Sequence, residues 1–173
     1  MTEASAAGSD FLASVCKAWE AEALEAAPTT RVVLLRSGLV LAKEGGALPQ
    51  LALPFRLFAG GPVGSGRQYM SWIHRDDWVS MVRWALTKNA VSGPLNLTAP
   101  APVSNAQFAG ALGRALHRPA VIPAPGVALR IALGEMADAM ILSGQRVLPE
   151  KAQANGFGFK YPELESALAA IYG

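Results

Sequence analysis

The run RVVLLRSGLVL, residues 31–41, holds four consecutive aliphatic residues between a Pro28-Thr29-Thr30 turn and Gly38. A strand with one wet face alternates apolar and polar residues, whereas an unbroken aliphatic run marks a strand buried on both faces. Helices must then cover both sides, which directs the chain toward parallel connections in an α/β protein. GPLNLTA, residues 93–99, is a second strand of this kind. Two such strands are too few for a parallel sheet, so either other strands are less legible or these belong to a larger sheet.

Helical periodicity fills much of the remainder. Phe11, Leu12, Val15, Trp19, Ala23 and Leu24 recur on one face, and Asp10 can cap them, which predicts an amphipathic helix over 10–27. On that apolar face Cys16 and Trp19 read as packed side chains. Residues 47–58 carry a helical pattern with Pro49 and Pro54, followed by the loop GGPVGSG. QYMSWIH, residues 68–74, reads as one strand, and Asp76 and Asp77 fall at the start of a helix where the dipole favours negative charge. Ser104 or Asn105 can cap a helix reaching Leu116. The last third predicts a proline-bounded extended piece, one or two apolar helices, a short strand around Val147 and a closing helix from Pro162.

Charge and cysteine content narrow the functional classes. The net charge is +2, and the arginines alternate with acids rather than forming a run, so no nucleic-acid partner is expected. A single cysteine forms no internal disulfide, and His74 and His117 are too far apart to suggest a metal site, so no metal is expected. No leader pattern and no membrane-length apolar stretch stand out, and a cytoplasmic location is the expectation.

The order of FLASVCKAWEAEA, RVVLLRSGLVL, GGALPQLALPF, GSGRQYMSWIHRDDW, GPLNLTAP and GQRVLPEKAQANGFGFKYPELESAL resembles the second half of an extended short-chain dehydrogenase. More narrowly, it is similar to the epimerase-like subfamily of NAD(P)-dependent sugar-nucleotide-epimerase homologues that end in a small C-terminal domain of unknown function. The resemblance implies a partial Rossmann-like doubly wound sheet, made of its last strands, plus a small mixed α/β C-terminal substrate lobe. Residues 1–100 would be the end of the Rossmann-like domain, with substrate-lobe elements inserted at 45–73, and 101–173 the small domain. It implies a truncated chain, because the glycine-rich turn and helix that hold the cofactor pyrophosphate are missing. Gly60, Gly61, Gly64 and Gly66 precede a strand and not a helix.

The family's Tyr-x-x-x-Lys pair would fall on the helix over 10–27, near Leu12 and Cys16 with Lys17 one step away, and no tyrosine stands there. No catalytic residue is therefore assigned. The resemblance places Arg36, Ser37, Gly38, Leu39 and Val40 beside the nicotinamide end of NADP or NAD, with weak or absent binding by this chain alone. For Arg36 a structural ion pair is the alternative. Arg67 and Gln68 are placed at a small-molecule substrate, with nucleotide-linked compounds among the alternatives; a solvated loop is the competing reading. His74, Asp76 and Asp77 read as the corner joining a strand to its helix, Trp72 as packed, and Asn96 as bonded to a neighbouring loop. Gln145, Arg146 and Pro149 resemble the signature of the C-terminal domain. A chain lacking the first half should expose a strand edge and apolar helix faces, and self-associate. The competing functional class is a non-catalytic binding or regulatory module on the same frame.

Overall fold

The computed structural model describes residues 1–125 and 143–173. The chain is mixed α/β. In order it forms α1 (Phe11–Leu24), β1 (Val33–Ser37), β2 (Leu39–Leu41), α2 (Leu48–Arg56), β3 (Tyr69–Met70), β4 (Trp72–His74), α3 (Arg75–Thr87), β5 (Gly93–Leu97), β6 (Val103–Ser104), α4 (Asn105–Leu116), α5 (Glu150–Ala154) and α6 (Leu164–Tyr172). The apolar helices expected after the proline-bounded piece lie outside the described residues. No described helix is long and apolar enough to cross a membrane.

The two aliphatic runs pair with each other. β1 lies parallel to β5, with Arg36 opposite Asn96 and Ser37 opposite Leu97. Gly38 breaks the run, and β2 turns to pair in parallel with β4, Leu39 opposite Trp72 and Leu41 opposite His74. A third pair, β3 with β6, is antiparallel. Alternation along these short strands feeds two cores. Leu39 and Trp72 face a cluster built with α2, α4 and α6 around Leu48, Phe108, Leu112 and Leu168. Val40 and Ile73 face the other, with Met81 and Ala85 of α3, Leu95 of β5 and Ala152 of α5.

Caps explain where the helices begin. Asp10 Oδ1 accepts from Ala13 N–H at 2.8 Å and starts α1. Ser104 and Gln107 form a reciprocal capping box on α4. His74 Nδ1 accepts from Asp76 N–H at 3.0 Å, and both Asp76 and Asp77 occupy the first turn of α3.

Four expectations are corrected. QYMSWIH is two strands, because its halves take different partners, Tyr69–Met70 pairing with β6 and Trp72–His74 with β2; at the junction Ser71 Oγ donates to Gln145 O at 2.7 Å and accepts from Val147 N–H at 2.9 Å. Residues around Val147 form no strand, because a serine side chain and the Met1 carbonyl hold them in place of a β-ladder. β1 is covered on one face only, with Leu34 buried and Leu35 41% exposed. No residue of α1 is buried; Trp19 is 72% exposed and Cys16 is exposed, because no described element packs against the outer side of that helix.

Candidate functional site

A cavity of about 680 Å³ lies between α1, the N-terminal segment and the carboxyl ends of β1 and β5. Leu12, Ala13, Trp19, Leu34 and Leu35 give it apolar walls, and Met1, Thr2 and Ser5 to Gly8 form another side. Arg36, Ser37, Gly38, Ser71, Asn96 and Thr98 line the end where the parallel strands stop. Parallel α/β sheets bind ligands in the crevice outside the carboxyl ends of their strands, which is where this cavity opens.

Gly38 is required where the two parallel pairs cross. A Cβ there would stand 2.6 Å from Ser71 O and 2.8 Å from Thr98 Cγ2. Its N–H donates to Leu97 O at 3.1 Å, and the next amide, Leu39 N–H, donates to Ser71 O at 2.8 Å. Trp78 Nε1–H donates to Ser37 Oγ at 2.9 Å, which engages the Ser37 hydroxyl with α3. Leu39 and Val40 lie outside the cavity lining; their side chains pack into the two cores.

Arg36 forms a two-pronged pair with Glu20 of α1, Nε to Oε1 at 2.7 Å and Nη2 to Oε2 at 2.6 Å. The hydrogen bond to Arg36 pulls the Glu20 carboxyl below its ordinary value. The same bond raises the Arg36 guanidinium further, so both stay charged across the neutral range. Its fork is thereby committed to docking α1 along the cavity wall.

Arg67 and Gln68 are not in the cavity lining. The Arg67 side chain is exposed, and its amide donates to Ser65 Oγ at 3.3 Å. Gln68 Nε2–H donates to Val63 O at 2.9 Å, and its backbone carbonyl accepts from Asn105 N–H at 2.8 Å, bracing the glycine loop against α4.

Apart from the Met1 ammonium, Asp10, Lys17 and the Arg36–Glu20 pair, the polar groups lining the cavity are neutral. Thr98 Oγ1 is buried and finds no hydrogen-bond partner among the described residues, and Ser5 and Asn96 add polar groups beside apolar walls. A pyrophosphate has no cradle here, because Asp10 puts a carboxylate on the amides that start α1. Among the described residues no three of histidine, cysteine, aspartate and glutamate converge as a metal ion would require.

The WIHRDD stretch builds a second, smaller site of contacts. Asp77 is 1% exposed, and its two oxygens accept from the N–H groups of Lys160 and Tyr161, each at 2.8 Å. The His74 ring lies 4.1 Å from the Tyr161 ring, and burial holds the imidazole below its ordinary value near 6.5 against the pull of Asp76 and Asp77. Trp72 is fully buried and donates through Nε1 to Ala101 O at 3.0 Å. These groups tie α3 to the segment before α6. Asn96 Nδ2–H donates to Leu148 O at 3.0 Å, the loop contact that its place in GPLNLTA suggests. Glu3, which no sequence pattern singles out, also reaches this region: it accepts from Asn96 N–H at 3.1 Å and from Lys151 N–H at 3.4 Å.

Residues 124–171 match a family model described as a domain of unknown function, DUF1731. Over 169 residues the chain is 48% identical to the epimerase family protein SDR39U1 homolog, chloroplastic, of Arabidopsis thaliana, covering 98% of this chain and 48% of the relative. The human epimerase family protein SDR39U1, solved with NADPH, superposes with a TM-score of 0.94 at 41% identity, over 99% of this chain and 59% of that one. A dTDP-glucose 4,6-dehydratase of Bacillus anthracis, solved with NAD, reaches a TM-score of 0.72 over 99% of this chain and 54% of that one. At 16% identity it speaks for the shared fold alone. The chain spans about half the length of the relatives it matches.

Proposed function

Because the chain shares sequence and fold with the epimerase family proteins over about half of their length, we propose that it forms the cofactor-facing loop and substrate lobe of an NAD(P)-dependent, epimerase-like oxidoreductase. The observation that carries this reading is the cavity at the carboxyl ends of β1 and β5, lined by Ser37, Gly38 and Thr98. Its apolar walls suit the nicotinamide end of the dinucleotide. The pyrophosphate needs a second body, which would supply the glycine-rich turn and cover the exposed side of β1 and α1. In that assembly Arg67 and Gln68 lie on the substrate side, where a guanidinium fork suits the phosphates of a nucleotide-linked substrate. Alone, the chain is inactive and binds cofactor weakly.

Titrations of NADPH and NADH into the chain, and into the chain fused behind the N-terminal half of the Arabidopsis relative, test this reading. The fused protein should bind on the order of 100-fold more tightly, the worth of about two charge-assisted hydrogen bonds. Equal affinity in both, or no binding in the fused protein, rejects it. A second reading, a binding module without turnover, is favoured by the absence of tyrosine from α1. It predicts cofactor binding by the fused protein with no hydride transfer to any sugar nucleotide.

A further inference from the structure

The cavity wall made by residues 1–8 is fastened at its far end. The Met1 ammonium donates to Arg146 O, and Met1 O accepts from Leu148 N–H at 2.8 Å. Glu3 then joins three parts of the chain, because Asn96 belongs to β5 and Lys151 to α5. Asn96 is 3% exposed, and its amide points away from β1, where a further strand would otherwise receive it. A buried backbone donor left without a partner is costly, and a carboxylate is a stronger acceptor than a carbonyl. Glu3 therefore closes the outer edge of β5 as a neighbouring strand would, while the opposite edge of the pair, on β1, has no backbone partner among the described residues.

We propose that Glu3 is a positioning residue of the cavity: by spanning Asn96 N–H and Lys151 N–H it holds the wall of residues 1–8 on the closed edge of β5 and sets the width available to a ligand. The proposal rests on the cofactor-site reading above. Its chemistry requires an acceptor at both oxygens. Glutamine keeps one and turns an amide N–H against the other donor, and alanine keeps neither.

The test uses the chain itself, with Glu3→Gln, Glu3→Ala and a Leu112→Ala control in the core that holds neither Leu95 nor Ala152. Amide exchange is followed at Asn96 and Lys151, and NADPH is titrated to several millimolar by NMR. In Glu3→Ala both amides should exchange roughly tenfold faster than in the control at matched stability, and NADPH should bind about fivefold more weakly; Glu3→Gln should fall between. Faster exchange with unchanged NADPH affinity would make Glu3 a brace of the fold alone and overturn the proposal. Exchange no faster than in Leu112→Ala would also overturn it. If the unsubstituted chain shows no saturable NADPH response, the cofactor-site reading fails and the proposal with it, a result distinct from loss of the Glu3 effect alone.

Discussion

The Arg36 guanidinium and the Glu20 carboxylate meet through two parallel hydrogen bonds of 2.7 and 2.6 Å, and this pair ties α1 to β1. No residue of α1 is buried, and an isolated helix of this length is marginal in water. The pair is partly exposed, with side-chain exposures of 36% and 26%, so its worth is about 1 kcal/mol after solvent screening.

Arg36→Met should therefore undock α1 while leaving both cores in place. The expected outcome is a loss of helical circular dichroism with retained near-ultraviolet signal. Docking should also depend on pH with a definite sign. Glu20 is held below its ordinary value, so the stabilisation is present above that value and is lost as pH falls through the lowered one. Glu20→Gln should remove this acid-limb dependence.

Gly38→Ala should destabilise the chain by about 2 kcal/mol, because the added methyl meets Ser71 O and Thr98 Cγ2 well inside contact distance. Urea unfolding with an unchanged slope would read the effect. A neutral result would mean that the crossing of the two parallel pairs can widen.

Asp77→Asn should cost about 1–2 kcal/mol, since one of two part-buried N–H donors loses its acceptor and faces an amide hydrogen instead. Amide exchange at Lys160 and Tyr161 should rise together. If only one rises, the two bonds are not a single latch.

His74 adds a second pH dependence at a higher range. Its folded value lies below the ordinary one, so the neutral ring contributes stability that is full above about pH 6.5 and is lost as pH falls through the folded value. The charged groups facing it, Asp76, Asp77, Arg75 and Lys160, act in both directions, and burial outweighs them. His74→Asn keeps an N-cap acceptor without a titrating ring, and should flatten the urea midpoint between pH 5 and 7.

Much of the frame was legible because local chemistry specifies it. The aliphatic run at 31–41 and GPLNLTA announced two strands, Asp10 and Ser104 announced helix starts, and the acids of WIHRDD announced a corner. Periodicity reports that α1 has an apolar face, but not what covers it, so Cys16 and Trp19 read as packed when they are exposed. Resemblance places Arg36 at the cofactor, with an ion pair as the alternative; its fork is taken by Glu20, sixteen residues earlier. Glu3 gave no signal, since its partners lie 93 and 148 positions away.

In the proposed function the cavity at the carboxyl ends of β1 and β5 receives the nicotinamide end of the cofactor. The most direct measurement is an NMR titration of the chain with NADPH, followed at the amides of Ser37, Gly38 and Thr98 and at the Trp19 indole. These signals should move saturably while those of Ala167 and Leu168, in the opposite core, stay fixed. Saturable shifts centred elsewhere, or none at any of the four, would contradict it.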